Sequence, residues 1–309
     1  MKNNSAIKKK TSNILVNAFR LFFLISVGYI IIFQLIYIVT YAFRPSEQIN
    51  DPSVVWLSDS LTLQHLKDAF GIMEYQKSFL FTCAIQVASG LLEVFTCAIA
   101  AYGFSRFDFF GKNIFFVMVM LTIIIPTQML GVPMYLNYAR FDVYGIFELF
   151  EKLTGIYVKP NLLDTGWVFY LPAIFGAGYR SGLFIFIYRQ FFKGLPKELE
   201  EAAAIDGAGP FSTFLRIVIP SSSVVILTVS IFSVVWHWNE YYNSVLFFDE
   251  KFPLSVRLSM LTVGIGGKVV NDRGFTMAGC LIFMLPVLIM YAFLQNKFVK
   301  SIDRVGIVG

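Results

Sequence analysis

Charge is what this sequence has least of. Of its 309 residues 15% are charged, against about 25% in an average soluble domain. Hydrophobic residues make up 57%, and the mean hydropathy is +0.67. That balance excludes most soluble enzymes. Cysteine is almost as scarce: Cys83, Cys97 and Cys280 all lie inside apolar runs, without C-x-x-C or metal spacing. A disulfide framework, a zinc site and a thiol enzyme are therefore not expected. The two histidines, His65 and His237, are too far apart in sequence to read as a ligand pair. There is no HExxH, no G-x-S-x-G, no phosphate-binding loop and no GxGxxG opening a helix, so neither a catalytic site nor a cofactor or metal is expected. A net charge of +5 on its own fits nucleic acid, but 34 Phe, 15 Tyr and 4 Trp sit in uncharged stretches. A bilayer is the expected partner, and nucleic acid is not.

What is present is a set of long apolar runs. A hydrocarbon core about 30 Å thick needs about 20 apolar residues of helix. Six runs qualify: 21–43, 78–105, 113–139, 165–188, 217–239 and 274–296. Their only formal charges are Glu93 in the second and Arg180 in the fourth. They are too continuous for the weak alternating strands of a barrel. The expected fold is an all-α integral membrane protein with six transmembrane helices. Its expected parts are an N-terminal cytoplasmic segment, 1–20, and one membrane domain, 21–309. Fourteen basic residues, among them Lys2, Lys8, Lys9, Lys10 and Arg20, fall in the short segments of one side, which predicts that both termini are cytoplasmic. The first run is longer than a signal-peptide core and is expected to stay as a helix. On the other side, 61–70 reads as an amphipathic surface helix through Leu61, Leu63, Leu66 and Phe70, and 141–159 mixes aromatics with charges in the same way. Pro126, Pro133, Pro172 and Pro286 permit bends within spans.

The connection between the fourth and fifth runs, about 195–220, carries the motif. Pro196 suits a first helical turn, Glu198, Glu200 and Glu201 complement the helix N-terminus, and Gly207 and Gly209-Pro210 end the helix. A second short helix leads from Pro210 to Pro220. The result is a helix–turn–helix with one face of small residues, which lets another surface approach closely. Glu201-Ala202-Ala203, then Gly207, then Ile217-Val-Ile219-Pro220 resembles the EAA signature of binding-protein-dependent ABC importer permeases. Ala101-Tyr-Gly-Phe-Ser-Arg106, Tyr188-Arg-Gln-Phe-Phe192 and Trp238-Asn-Glu-Tyr241 are similar to the sugar-importer branch, the maltose-type second permease. The chain departs from that branch in the segment 141–164 and in the tail, Asp303 to Gly309.

The resemblance implies the ABC type I importer permease fold with a cytoplasmic coupling helix, and a non-catalytic subunit of the bacterial inner or cytoplasmic membrane. It implies four partners: a second permease, a dimer of cytoplasmic ATP-binding subunits, an extracytoplasmic solute-binding protein, and a carbohydrate as substrate. The ATPase-coupling loop would comprise Glu201, Ala202, Ala203, Asp206, Gly207 and Pro220. In this reading Ala202 and Ala203 both face the ATPase, and Gly207 takes a positive φ where the chain reverses. Glu93 and Arg180 are each the sixteenth residue of their run, hence at similar depth. A charge at a helix centre is unfavourable by about 2.5–3.5 kcal/mol on the insertion scale, so the two either form a buried pair or line the solute pathway. Trp238, Asn239 and Glu240, beside His237, are further pathway candidates, while for the flanking Trp236, Tyr241 and Tyr242 an aromatic belt at the membrane surface is the plainer reading. An importer for another solute class, or an ion-coupled secondary transporter, fits the same spans; the latter needs ionisable relays in several of them.

Overall fold

Where no water reaches the backbone, each N–H and C=O must be satisfied within the segment, and helix is the way a single apolar run does so. The computed structural model describes residues 2–54, 56, 58–143, 145–156, 159–263 and 273–305, with side chains within 15–261 and 273–295. The N-terminal lysines, the tail 303–309 and part of the segment 240–273 thus lie wholly or in their side chains outside the described residues. Among the described residues there are helices and no strands.

In chain order the α-helices are α1 (Lys2–Phe43), α2 (Gln64–Ile72), α3 (Tyr75–Thr82), α4 (Ala88–Arg106), α5 (Lys112–Ile124), α6 (Gly131–Ala139), α7 (Ile146–Thr154) and α8 (Trp167–Ile174). There follow α9 (Ser181–Gly194), α10 (Glu198–Ile205), α11 (Pro210–Thr213), α12 (Ile219–Ser221), α13 (Ser223–Trp238), α14 (Tyr242–Phe247), α15 (Leu254–Val263) and α16 (Arg273–Val305). Short π-helical turns, Cys83–Val87 and Phe214–Val218, join α3 to α4 and α11 to α12.

The six expected runs are helical but not equally continuous. Three are unbroken stretches long and apolar enough to cross a membrane: Leu15–Phe43, Tyr75–Arg106 and Arg273–Gln295. The third and fifth are bent pairs, Lys112–Ile124 with Thr127–Ala139 at 99° and Pro210–Ser221 with Ser223–Trp238 at 82°. The fourth is split into α8 and α9 by 175–180, where Gly176 and Arg180 both have positive φ. Of the four prolines expected to allow bends, only Pro126 stands at a sharp one, because it has no N–H to continue the helix. Pro172 and Pro286 lie inside α8 and α16. The other sharp bend comes after Pro220, at Ser222.

The chain divides into two compact units, 1–73 with 260–284, and 74–259 with 285–309. In the first, α1 exposes apolar side chains all round from Phe19 to Ile32, the pattern of a helix solvated by lipid. The surface helix of this unit begins later than the sequence pattern suggested. Thr62 donates its N–H to Phe43 O and its hydroxyl oxygen accepts from the Gln64 N–H, which holds 61–63 outside the helix. The side chains α2 buries are His65 and Ala69, while Leu61, Leu63 and Phe70 are exposed. In the second unit α4 packs against α8, α9 and α13. Its core joins Val94, Cys97, Ala98 and Ala101 to Phe184, Tyr188, Phe192, Phe214 and Val229. The segment 141–164 contains α7, capped by Asp142, whose two carboxylate oxygens accept the N–H groups of Phe147 and Glu148.

Candidate functional site: an anchored loop helix and a buried acid

The 195–220 loop is organised by one chain reversal. Glu198, Glu200 and Glu201 occupy the first turn of α10, where unpaired N–H groups favour negative charge. Its far end is a Schellman turn: Ala208 N–H donates to Ala203 O at 2.9 Å and Gly207 N–H to Ala204 O at 3.1 Å. Gly207 has φ +81°, as the reversal requires. A β-carbon is disfavoured there.

Neighbouring glutamates of α10 have different surroundings. Glu200 is turned towards the end of α4: Arg106 Nε donates to its Oε1 at 2.6 Å and the Tyr102 hydroxyl to its Oε2 at 2.9 Å. Arg106 also donates to Leu195 O at 2.9 Å, and the Tyr102 ring packs against Phe214 and Phe192. Glu201 and Ala202 are exposed. Residues 200 and 203 share a helix face, so the Glu200 contact fixes the rotation of α10 and carries Ala203 inward. Ala203 is only 6% exposed. This corrects the expectation that both alanines face outward: the open strip holds Ala202, Glu201 and Ile205, the last 86% exposed. Asp206 and Pro220 are exposed as well.

The mid-span acid has a different partner from the one its depth suggested. Glu93 is completely buried. The Ser181 hydroxyl donates to its Oε1, and His237 Nε2 lies 3.2 Å from its Oε2. The other ring nitrogen of His237, Nδ1, lies 2.9 Å from Ser233 O. A carbonyl can only accept, so Nδ1 carries a hydrogen and faces Ser233, which leaves Nε2 turned towards Glu93. Close approach of α4 and α13 makes this contact possible: a β-carbon on Gly90 would lie 2.8 Å from Ser233 Oγ and 3.1 Å from His237 Nδ1.

Arg180 is not that partner. Among the described residues no ion pair joins it to Glu93; it precedes α9 with φ +71° and is exposed, its guanidinium near the rings of Tyr179 and Trp236 at 5.2 and 5.6 Å. The break between α8 and α9 turns it away from the acid. Trp238 is buried edge-on against Phe79. Glu240 is buried and accepts the Asn243 N–H at 2.7 Å, whereas Asn239 is exposed and donates to Val235 O. His237 as the partner of Glu93 has a trace in the sequence, a glycine one turn before the acid and Ser233 one turn before the histidine. Glu200 and Arg106 lie in separate motifs, and nothing local pairs them. Among the described residues no group of three or more His, Cys, Asp or Glu side chains is placed to hold a metal.

Bent and broken apolar helices, with a short helix–turn–helix held at the end of one of them, define a membrane transport subunit. The chain belongs to the family described as the binding-protein-dependent transport system inner membrane component, which it matches over residues 94–304. Such a chain is the non-catalytic permease subunit of an ABC transporter. Membership implies a second permease, an ATP-hydrolysing subunit and a binding protein as partners. The chain is 29% identical to "Probable ABC transporter permease protein YurM" of Bacillus subtilis, over 94% of this chain and 87% of that one. It is 26% identical to the polygalacturonan/rhamnogalacturonan transport system permease protein YtcP of Bacillus subtilis, over 91% and 96%. It is 27% identical to the arabinooligosaccharides transport system permease protein AraQ of Halalkalibacterium halodurans, over 98% and 100%. In fold it is similar to a chain from the crystal structure of a bacterial ABC transporter involved in the import of the acidic polysaccharide alginate. There the TM-score is 0.62 and the identity 22%, over 90% of this chain and 97% of that one.

Proposed function

We propose that this permease passes an oligosaccharide inward through a path formed with a second, similar permease, and that α10 is the helix through which a pair of ATP-binding subunits drives it. The carbohydrate part rests on relatives whose names specify polygalacturonan, rhamnogalacturonan and arabinooligosaccharides. The observation that carries the coupling part is the open strip of α10, with Glu201, Ala202 and Ile205 exposed on a helix that Glu200 and Arg106 hold in place. A rigid helix with a small residue at its centre suits a groove on a partner, and the Gly207 reversal brings the chain straight back towards α13. The same reading puts both termini, with the segment 1–20, on the cytoplasmic side, the side of the ATPase. Binding of ATP would close the ATPase pair and shift the permease between inward- and outward-open states.

The test separates docking from folding. Ala202→Asp places a charge on the open strip, whereas Ala203→Asp forces one into a buried position. Ala202→Asp is expected to leave insertion and pairing with the sister permease intact, to detach the ATPase and to abolish uptake. Ala203→Asp is expected to impair the loop itself, seen as faster proteolysis of 195–220. Full uptake by Ala202→Asp with the ATPase still bound would remove α10 from the coupling role.

A further inference from the structure

A cavity of about 570 Å³ lies in the second unit, beside the interrupted helices. Two breaks meet on its wall: Ile125 and Thr127, either side of Pro126, and the segment Gly176–Arg180 that divides α8 from α9. Broken helix at membrane depth is tolerated where it lines a cavity, because the freed backbone groups then face something polar. The volume falls within the range of small-molecule sites.

The charge on this wall is all of one sign. Among the described residues that line the cavity, Arg180 is the only charged one and none is acidic. Its guanidinium makes no ion pair with a described residue; it rests near the faces of Tyr179 and Trp236. The N-terminus of α9, a 14-residue helix, begins immediately after it and adds a partial positive charge. Glu93, the acid nearest in function, is withdrawn behind Ser181 and occupied by His237. On the same wall Asn243 is 8% exposed, and its Oδ1 has no hydrogen-bond partner within the fold. The buried carboxylate of Glu240 feels the charge of Arg180 but makes no ion pair with it, and its own hydrogen bond is from the Asn243 N–H. An aromatic-flanked guanidinium with its donors uncommitted is suited to a planar anion.

We infer that this cavity takes an acidic saccharide, a uronate oligomer whose carboxylate is held by Arg180. The inference rests on the carbohydrate reading above and narrows it. It also explains why Arg180 occupies a left-handed backbone position that glycine would adopt with less strain. A side chain is retained there at the expense of backbone comfort, as happens where the side chain has a task.

That backbone supplies the variant for the test. Arg180→Gly removes the guanidinium and suits φ +71°, so the fold is expected to survive. Arg180→Lys keeps the charge and loses the planar fork. The full transporter, with sister permease, ATPase and binding protein, is assembled in proteoliposomes and given labelled trigalacturonate or the neutral galactotriose of the same linkage. The parent is expected to favour the acid, and Arg180→Gly to lower uptake of the acid by about tenfold, the worth of one charge-assisted hydrogen bond. Uptake of the neutral sugar should fall far less than that of the acid in that variant, and Arg180→Lys should fall between. Equal loss for both sugars, no loss for either, or a parent that carries only the neutral one overturns the acidic-saccharide assignment and leaves the carbohydrate permease standing. Entry of neither sugar while ATP is hydrolysed overturns the carbohydrate reading itself, and this inference with it.

Discussion

Glu93 and Glu200 are two acids with the same kind of company and opposite consequences. Each takes a hydroxyl on one oxygen, Ser181 for Glu93 and Tyr102 for Glu200. Each has a basic side chain on the other, His237 for Glu93 and Arg106 for Glu200. Glu93 is fully buried and ties α4 to α9 and α13, so its contacts are used up in holding helices together. Glu200 lies at the end of α4, and its contacts fix the rotation of a short helix whose next two residues stay open. One arrangement closes a structure. The other presents a surface. The charge itself does not distinguish them; what does is enclosure of the acid, since Glu93 is fully buried between helices and Glu200 is half-buried at the edge of the fold.

The comparison is broken most severely at Glu93. Removing one partner of a buried pair leaves the other unpaired, typically unfavourable by about 3–5 kcal/mol. Glu93→Ala or His237→Ala should therefore lower the melting temperature of the purified permease sharply. The double variant should lose less than the sum of the two, because contacting residues are not additive. Exchanging charges as Glu93→Arg with Arg180→Glu should recover nothing. Strict additivity of the first pair, or rescue by the exchange, would show that the polar centre is built differently.

The next largest effect belongs to the loop. Glu200→Ala removes an acceptor of charge-assisted bonds worth about 1.5–3 kcal/mol, at the edge of the fold and not inside it. The expectation is a modest loss of stability with a large loss of ATPase binding, because α10 becomes free to rotate and Ala202 is no longer presented. Arg106→Lys should act in the same direction more weakly, since a lysine cannot reach both Glu200 and Leu195 O. If ATPase binding survives Glu200→Ala unchanged, the contact does not orient the helix. Gly207→Ala comes after these, at about 1–2 kcal/mol for a β-carbon in left-handed backbone. It should loosen the reversal without touching the bundle, detectable as hydrogen exchange confined to 203–210.

The smallest effect sharpens the comparison at a third acid. Asp142 caps α7 on an exposed segment. Burial pushes its carboxyl up, but the N–H groups of Phe147 and Glu148, with Lys159 3.5 Å away, outweigh this and hold it below the usual range. A carboxyl held low in the folded state contributes stability above its unfolded value, and that contribution is lost as pH falls through the folded one. Protection of α7 amides should thus be full at neutral pH and decline only in the acid range, below pH about 4. Asp142→Asn should remove the dependence.

What the sequence determined by itself was the class of molecule and the place of its loop helix. Uncharged runs of helix-spanning length leave one solution to backbone hydrogen bonding, and Pro196, the acidic first turn and Gly207 mark the bounds of α10 by local chemistry alone. Tertiary structure decided the rest. Equal depth in two runs suggested Glu93 with Arg180, but depth does not specify which way a helix is turned, and the break at 175–180 sends Arg180 to the cavity while Gly90 lets His237 reach the acid. Two adjacent alanines looked equivalent in α10, and only the contact between Glu200 and Arg106, residues 94 positions apart, turned one inward and left the other open. Patterns within a helical turn are legible because neighbours in sequence are neighbours in space. The rotation of one helix against another depends on partners far along the chain, and that is where the sequence alone stopped.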